Sequence, residues 1–257
     1  MLGILSFWNN MFHTLDGGPP APDAPDAPGT PGGSRTGPGQ DTDMTTGTTG
    51  TATPDLTLMH AAHEAFRRDA ERLRRAAGSG RGTISLEGWQ VFRRFLDIHH
   101  RFEDEYLWPP LRPLVRDLPG AALMLDAMEE EHQRLNPVLD AIEARLYGHL
   151  ADTGELPGLF DELATVLGGH LEHEEREALP LVEQRLPLAD WKAFSDAQRK
   201  AMGLSGAAEF FPWLVDARPQ PAARAIRGML PPPVRAICRL VWEPRYARRT
   251  TRRPVGA

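Results

Sequence analysis

Cysteine is almost missing from this 257-residue chain, which has one thiol, Cys238. That excludes an internal disulfide framework, and a zinc ribbon or iron–sulfur cluster held by this chain alone. Cys238 sits in the apolar run Ala236-Ile237-Cys238-Arg239-Leu240, where a free thiol behaves as a small buried hydrophobe. Long apolar runs are missing too: nothing approaches the ~20 residues that span a bilayer. The apolar stretch Leu2 to Phe12 is short, contains Asn9 and Asn10, and has no basic flank, so it does not read as a signal peptide. The cytoplasm is the default compartment on these exclusions. Residues 17–54 hold almost nothing that can be buried, being rich in Pro, Gly, Thr, Ala and Asp. Such composition cannot offset the entropy of ordering, so segment 1–54 is expected to be disordered. A start at Met44 would remove most of it.

The remaining chain is well supplied. Hydrophobic residues make up 41%, enough for one packed core, and the net charge is −6. That charge is unevenly spread. Residues 204–257 carry ten Arg against three acids, whereas residues 1–203 carry 19 basic and 32 acidic residues. An acidic body with an Arg-rich tail follows.

From Leu56 onward the apolar residues recur at alternating steps of three and four, the period of an amphipathic bundle helix. The first seam reads Leu56, Met59, His63, Phe66, Ala70, Leu73, with Thr53 and Pro54 as a cap and first-turn proline. A second, from about Ser85, reads Phe92, Phe95, His99, Phe102, Tyr106, with Pro109-Pro110 to stop or bend it. The third starts near Pro119 and reads Leu125, Met128, His132, Leu135, Leu139, Ile142, Leu146. The fourth starts near Pro157 and reads Phe160, Leu163, Leu167, His170, Glu174, Leu181, with Pro180 kinking its end. Short connections between four such helices predict an all-α, up-down-up-down four-helix bundle over 55–186. Residues 187–257 form a shorter helical extension, with helices expected at Leu188 to Met202, Ala207 to Val215 and Val234 to Trp242. Its aromatics (Trp191, Phe194, Phe210, Phe211, Trp213, Trp242) suit packing on the bundle.

Each seam contains one histidine where an apolar residue belongs. One such histidine is ordinarily a hydrogen-bonded core residue; four facing one interior, with two carboxylates, are hard to satisfy without a metal. Counted from the turns, His63 and His99 fall at one level of the first hairpin, and His132 and His170 at nearly one level of the second. The pattern H-x3-E-[DE]-x4-P occurs twice, at His99 and at His170, offset by 71 residues. Lone seam histidines precede the two copies by 36 and 38 residues. An i, i+4 His–Glu pair places imidazole and carboxylate side by side on one helix face. His63, His99, Glu103, His132, His170 and Glu174 are therefore the candidate metal ligands. His100 shares a stripe with Arg93, Asp97 and Asp104 and reads as a solvated position, as does His60; His173 lies one step off the seam. Tyr106, one turn beyond Glu103, reads either as core packing or as a hydrogen-bond donor to the ligands.

Four imidazoles and two carboxylates exceed what a tetrahedral structural zinc takes. They suit two metal ions ~3.5–4 Å apart, bridged by carboxylates, with coordination positions left open. Ligation by nitrogen and oxygen without thiolate fits two iron ions, with manganese or zinc as alternatives.

The stretches "HHRFEDEYLWPPL", "EEEHQRL" and "HLEHEEREALPLV" resemble the hemerythrin-like HHE cation-binding family of bacteria. In the extension, "PLADWKAF", "LPPPVRAICRLVW" and "RYARR" resemble the C-terminal part of a full-length bacterial subgroup. The resemblance implies a four-helix bundle in which the same six residues hold a non-haem di-iron centre. Oxygen-carrying members have a further histidine four residues away on the third helix; here Met128 and Asn136 flank His132 at that spacing. Two functions follow. One is binding, sensing or reacting with O2, nitric oxide or peroxide, including catalase-like peroxide disproportionation by a di-iron oxidoreductase. The other is iron handling or iron–sulfur repair, in which iron is stored or donated. A third class, an interaction module, rests on Arg245, Arg248, Arg249, Arg252 and Arg253, which suit weak polyanion contact or docking on the acidic body. No specific nucleic-acid partner is expected, and a homo-oligomer is left open.

Overall fold

The computed structural model describes residues 53–79, 84–148 and 153–250, all within one compact unit spanning 53–257. The disorder expected for 1–54 falls almost wholly outside the described residues, as do Arg252 and Arg253. Every regular element described is helical. No helix among the described residues is long and apolar enough to cross a membrane.

Helix α1 (Thr57–Gly78) starts later than Thr53. The Asp55 carboxylate accepts from the Thr57 N–H at 2.9 Å and so takes up one free donor of the first turn. Helix α2 (Leu86–Phe102) is capped by Ser85, whose Oγ accepts from the Gly88 N–H at 3.1 Å. It runs through a π-helical turn (Glu103–Leu107) into α3 (Trp108–Leu114). Helix α4 (Ala121–Tyr147) begins after Gly120, whose φ of +82° is a conformation only glycine adopts freely. Helix α5 (Leu156–His173) runs through a second π-helical turn (Glu174–Ala178) into α6 (Leu179–Arg185). Helix α5 packs against both α1 and α4.

The seams are buried as far as the π-turns, with each residue of the first seam, from Leu56 to Leu73, at most 9% exposed; beyond the second turn Leu181 is only partly buried. The four histidines form a polar layer inside the bundle. On one side lies an apolar cluster that includes Met59, Phe102, Leu107, Trp108, Leu125 and Met128. On the other, Phe66 meets Phe92 edge to face at 5.9 Å, and Trp89 stacks on Phe92 at 5.7 Å.

Tyr106 corrects the sequence reading. It is 40% exposed and stacks on Phe102, outside the core. The π-turn explains why: one extra residue shifts every downstream side chain by about 100° of helix rotation. Leu107, Trp108 and Leu111 then point inward, each fully buried. After Glu174 the same shift buries Ala178, Leu179 and Val182. Both turns lie just upstream of the motif prolines, Pro109 and Pro180. A proline N–H is absent and its ring crowds the carbonyl four residues back, and a widened turn relieves both.

The extension is helical and docked. Helix α7 (Leu188–Val215) breaks at Gly203, where φ is +59°, matching the two expected pieces. Helix α8 (Gln220–Gly228) was not expected. Helix α9 (Pro232–Ile237), a π-helical turn (Cys238–Trp242) and α10 (Glu243–Thr250) follow. Helix α7 packs on α2 and the first π-turn. Trp213 is fully buried, 4.9 Å from both the Phe66 and Phe95 rings. Its Nε1–H donates to Asp69 at 2.7 Å. Arg68 caps the end of α7, donating to the Trp213 and Asp216 carbonyls at 2.9 and 2.8 Å. Part of the basic tail folds back on the extension's own α7, where Arg249 pairs with Glu209 at 3.0 Å, and Arg94 of α2 reaches the same Glu209.

Cys238 is fully buried, as expected. Burial first, and then Glu243 beside it, push its thiol up to about 12. The reactive thiolate is therefore absent at ordinary pH. Native protein at pH 8 should resist iodoacetamide, with alkylation beginning only on unfolding or above about pH 11. Mass spectrometry showing rapid native alkylation at pH 8 would contradict the burial.

Candidate metal centre

Four helices bring the six sequence-derived residues to one place. His63 comes from α1, His99 from α2, His132 from α4 and His170 from α5, none more than 5% exposed. Glu103 and Glu174 each open a π-turn, one helical turn beyond His99 and His170, and both are fully buried.

The imidazoles form two pairs. His63 and His99 face each other through their Nε2 atoms at 3.0 Å, and His132 and His170 do the same at 3.1 Å. Carboxylates outside the centre fix three of these rings. His63 Nδ1–H donates to Glu175 at 2.9 Å, His132 Nδ1–H to Asp104 at 2.8 Å, and His170 Nδ1–H to Glu131 at 3.0 Å. A carboxylate only accepts, so each ring carries its proton on Nδ1 and, when neutral, turns the Nε2 lone pair inward. Between His132 and His170 two lone pairs then meet at 3.1 Å and need a shared cation, whereas His99 Nε2–H can donate to the His63 lone pair when no ion is bound. Burial, reinforced by the neighbouring imidazoles, holds His99 well below the usual histidine range. His170 is lowered chiefly by burial, with Glu131 opposing. Among the described residues His99 has no outer carboxylate; Phe66 packs on its ring at 5.2 Å instead.

Each glutamate reaches across the pairs. Glu103 has Oε1 3.2 Å from His99 Nδ1 and Oε2 3.6 Å from His132 Nε2. Glu174 Oε2 lies 3.3 Å from His63 Nε2 and 3.8 Å from His170 Nε2. All four carboxylate oxygens are buried without a hydrogen-bond partner among the described residues. Burial first, then Glu174 and Asp104, push the Glu103 carboxyl well above the usual carboxylate range. Buried anions left this way are costly unless a cation joins them. The donor atoms of His63, His99, Glu103 and Glu174 lie within 4.8 Å of one another, a group able to hold a metal ion; those of His100, His132 and His170 form a second such group.

The residue after each motif glutamate, Asp104 or Glu175, orients the lone histidine of the other hairpin. Glu175 also takes a two-pronged bond from Arg67 at 2.8 and 2.9 Å. Burial alone would raise Glu175, but His63 and Arg67 carry it down to about 2. The sequence held the signal, an acid in both motif copies, but not its partner. Glu131 was missed altogether; it holds His173 as well as His170, each at 3.0 Å. His60 is half-exposed, as expected.

His100 corrects the solvated reading. It is 8% exposed, with its ring flat on His132 at 4.1 Å and edge-on to His170 at 5.0 Å. Its stripe-mates Arg93, Asp97 and Asp104 do meet solvent, but across a cleft of about 320 Å³ against α4, and His100 and His132 form part of its wall.

Residues 55–182 match the family model described as the hemerythrin HHE cation binding domain. No curated protein and no solved structure matches the chain.

Proposed function

Since residues 55–182 belong to the hemerythrin HHE cation binding domain family, we propose that the protein holds two iron ions between its histidine pairs and binds, senses or reacts with O2, nitric oxide or peroxide. In this reading His63 and His99 hold one ion, His132 and His170 the other, and Glu103 and Glu174 are shared. The supporting observation is the set of four unpartnered carboxylate oxygens between two pairs of facing imidazoles. The donor set of nitrogen and oxygen without sulfur suits iron, with manganese or zinc as second choices. Bound iron would supply electron exchange and open coordination positions. The chain supplies the rest: Glu175, Asp104 and Glu131 hold three rings in the ligating tautomer, and the apolar layers on either side exclude water. An up-down-up-down order of the four long helices, a bundle spanning 55–186, an extension over 187–257 and a cytoplasmic site of action belong to the same reading.

The cleft beside His132 supports access by a small ligand, and hence the O2, nitric oxide or peroxide reading over iron donation. The test is metal content per chain after expression in iron-supplied medium and anaerobic purification, followed by absorption spectra with each gas and with peroxide. Two irons with spectra that respond are expected in the parent, and neither in His99→Ala. Iron that leaves within minutes to a chelator and passes to an apo acceptor would favour the donation reading.

A further inference from the structure

The two half-centres differ by one residue. The group around His63 has two imidazoles, whereas that around His132 has a third, His100. His100 is a buried base whose Nε2 has no hydrogen-bond partner among the described residues. Such an atom costs free energy where it lies unless something binds it. The two nearest rings offer no donor, because His132 and His170 commit their Nδ1 protons to Asp104 and Glu131.

We propose that His100 is a fifth imidazole ligand, completing the ion held by His132 and His170 and making the two metal positions chemically unequal. This rests on the two-ion reading above. Three observations carry it: the shared donor cluster, the unpartnered buried nitrogen, and the ring's position against both His132 and His170. The rotation that aims an imidazole nitrogen is a soft sp3–sp2 torsion, so Nε2 can swing from the stack toward the other two nitrogens at little cost. The ion at this position would have three nitrogen donors beside the cleft that His100 and His132 line, while its neighbour would have two. An exogenous ligand entering by the cleft therefore meets the imidazole-rich ion first.

The test titrates Fe(II) anaerobically into the metal-free full chain, with affinities read by chelator competition. His100→Phe keeps a flat ring on His132 but removes the nitrogen. The parent should take two ions; His100→Phe should hold one with parental affinity and the other at least about tenfold more weakly. In His100→Ala, added imidazole entering the cleft should restore the weakened affinity. Two ions at parental affinity in His100→Phe would overturn the assignment and leave the ring a packing element. If that variant loses its helical circular dichroism, His100→Ala decides: affinity that imidazole does not change would overturn the proposal. A parent that takes fewer than two ions would instead refute the two-ion reading.

Discussion

Metal-free Glu103→Met protein should be more stable than the metal-free parent, although it has lost the ability to hold the full metal complement. Glu103 is fully buried, and neither of its oxygens has a hydrogen-bond partner among the described residues. Methionine has nearly the same length and needs no partner. Removing one unsatisfied buried polar group is worth about 1–3 kcal/mol. For a chain of this size that raises the midpoint by roughly 2–4 °C per kcal/mol. The difference between parent and variant should depend on pH. Because the Glu103 carboxyl lies above its ordinary value in the folded chain, its contribution is most favourable below the unfolded value. It is lost as pH rises toward the folded one. The gap should therefore be small in acid and widen toward neutrality. Differential scanning calorimetry of chelator-treated protein at several pH values measures it, with metal analysis alongside. A variant less stable than the parent throughout would show that these oxygens are satisfied in some other way.

Trp213→Ala should lose about 3–5 kcal/mol, the usual cost of emptying a buried tryptophan site. Trp213 is fully buried between Phe66 and Phe95, and its indole N–H satisfies Asp69. Truncation opens a cavity and removes the donor of Asp69 Oδ2, while Oδ1 keeps Arg68 and Arg72. The effect should also reach the metal centre. Phe66 has Trp213 at 4.9 Å and His99 at 5.2 Å, and among the described residues no outer carboxylate orients His99. Iron affinity should fall in Trp213→Ala even where the protein is still folded. Urea unfolding and chelator competition on the same samples measure the two effects. Parental affinity in a folded variant would mean that His99 is held independently of the extension.

The seams could be read from sequence because a histidine inside a regular apolar period has only one interior to face. The levels could be read because rise per residue is constant, and the facing Nε2 atoms at 3.0 and 3.1 Å agree with that count. Periodicity failed where the helix itself changed pitch. Tyr106 was placed on a seam extrapolated through a turn that holds one residue more, and it lies outside. His100 failed for a different reason. Its stripe of charged neighbours was identified correctly, but a charged stripe can edge a cleft as well as an open face. The orienting acids Asp104, Glu131 and Glu175 meet histidines 28, 39 and 112 residues away, a matter of register between helices that no local pattern encodes.

The π-turns separate two jobs that a uniform helix would have to share. Upstream of Glu103 the side chains of α2 answer to the metal centre; downstream, Trp108 and Leu111 answer to the apolar cluster that α7 joins through Trp191 and Phe194. Along an unbroken α-helix both sets would occupy one stripe, and a volume change in the hydrophobic cluster would pass straight along it to the ligands. The extra residue offsets the stripes, so substitutions in the lower layer can accumulate without moving the donor atoms. The same insertion at Glu174 gives the second hairpin that freedom. The ligand geometry and the packing that supports it can therefore diverge at different rates between descendants of a common ancestor.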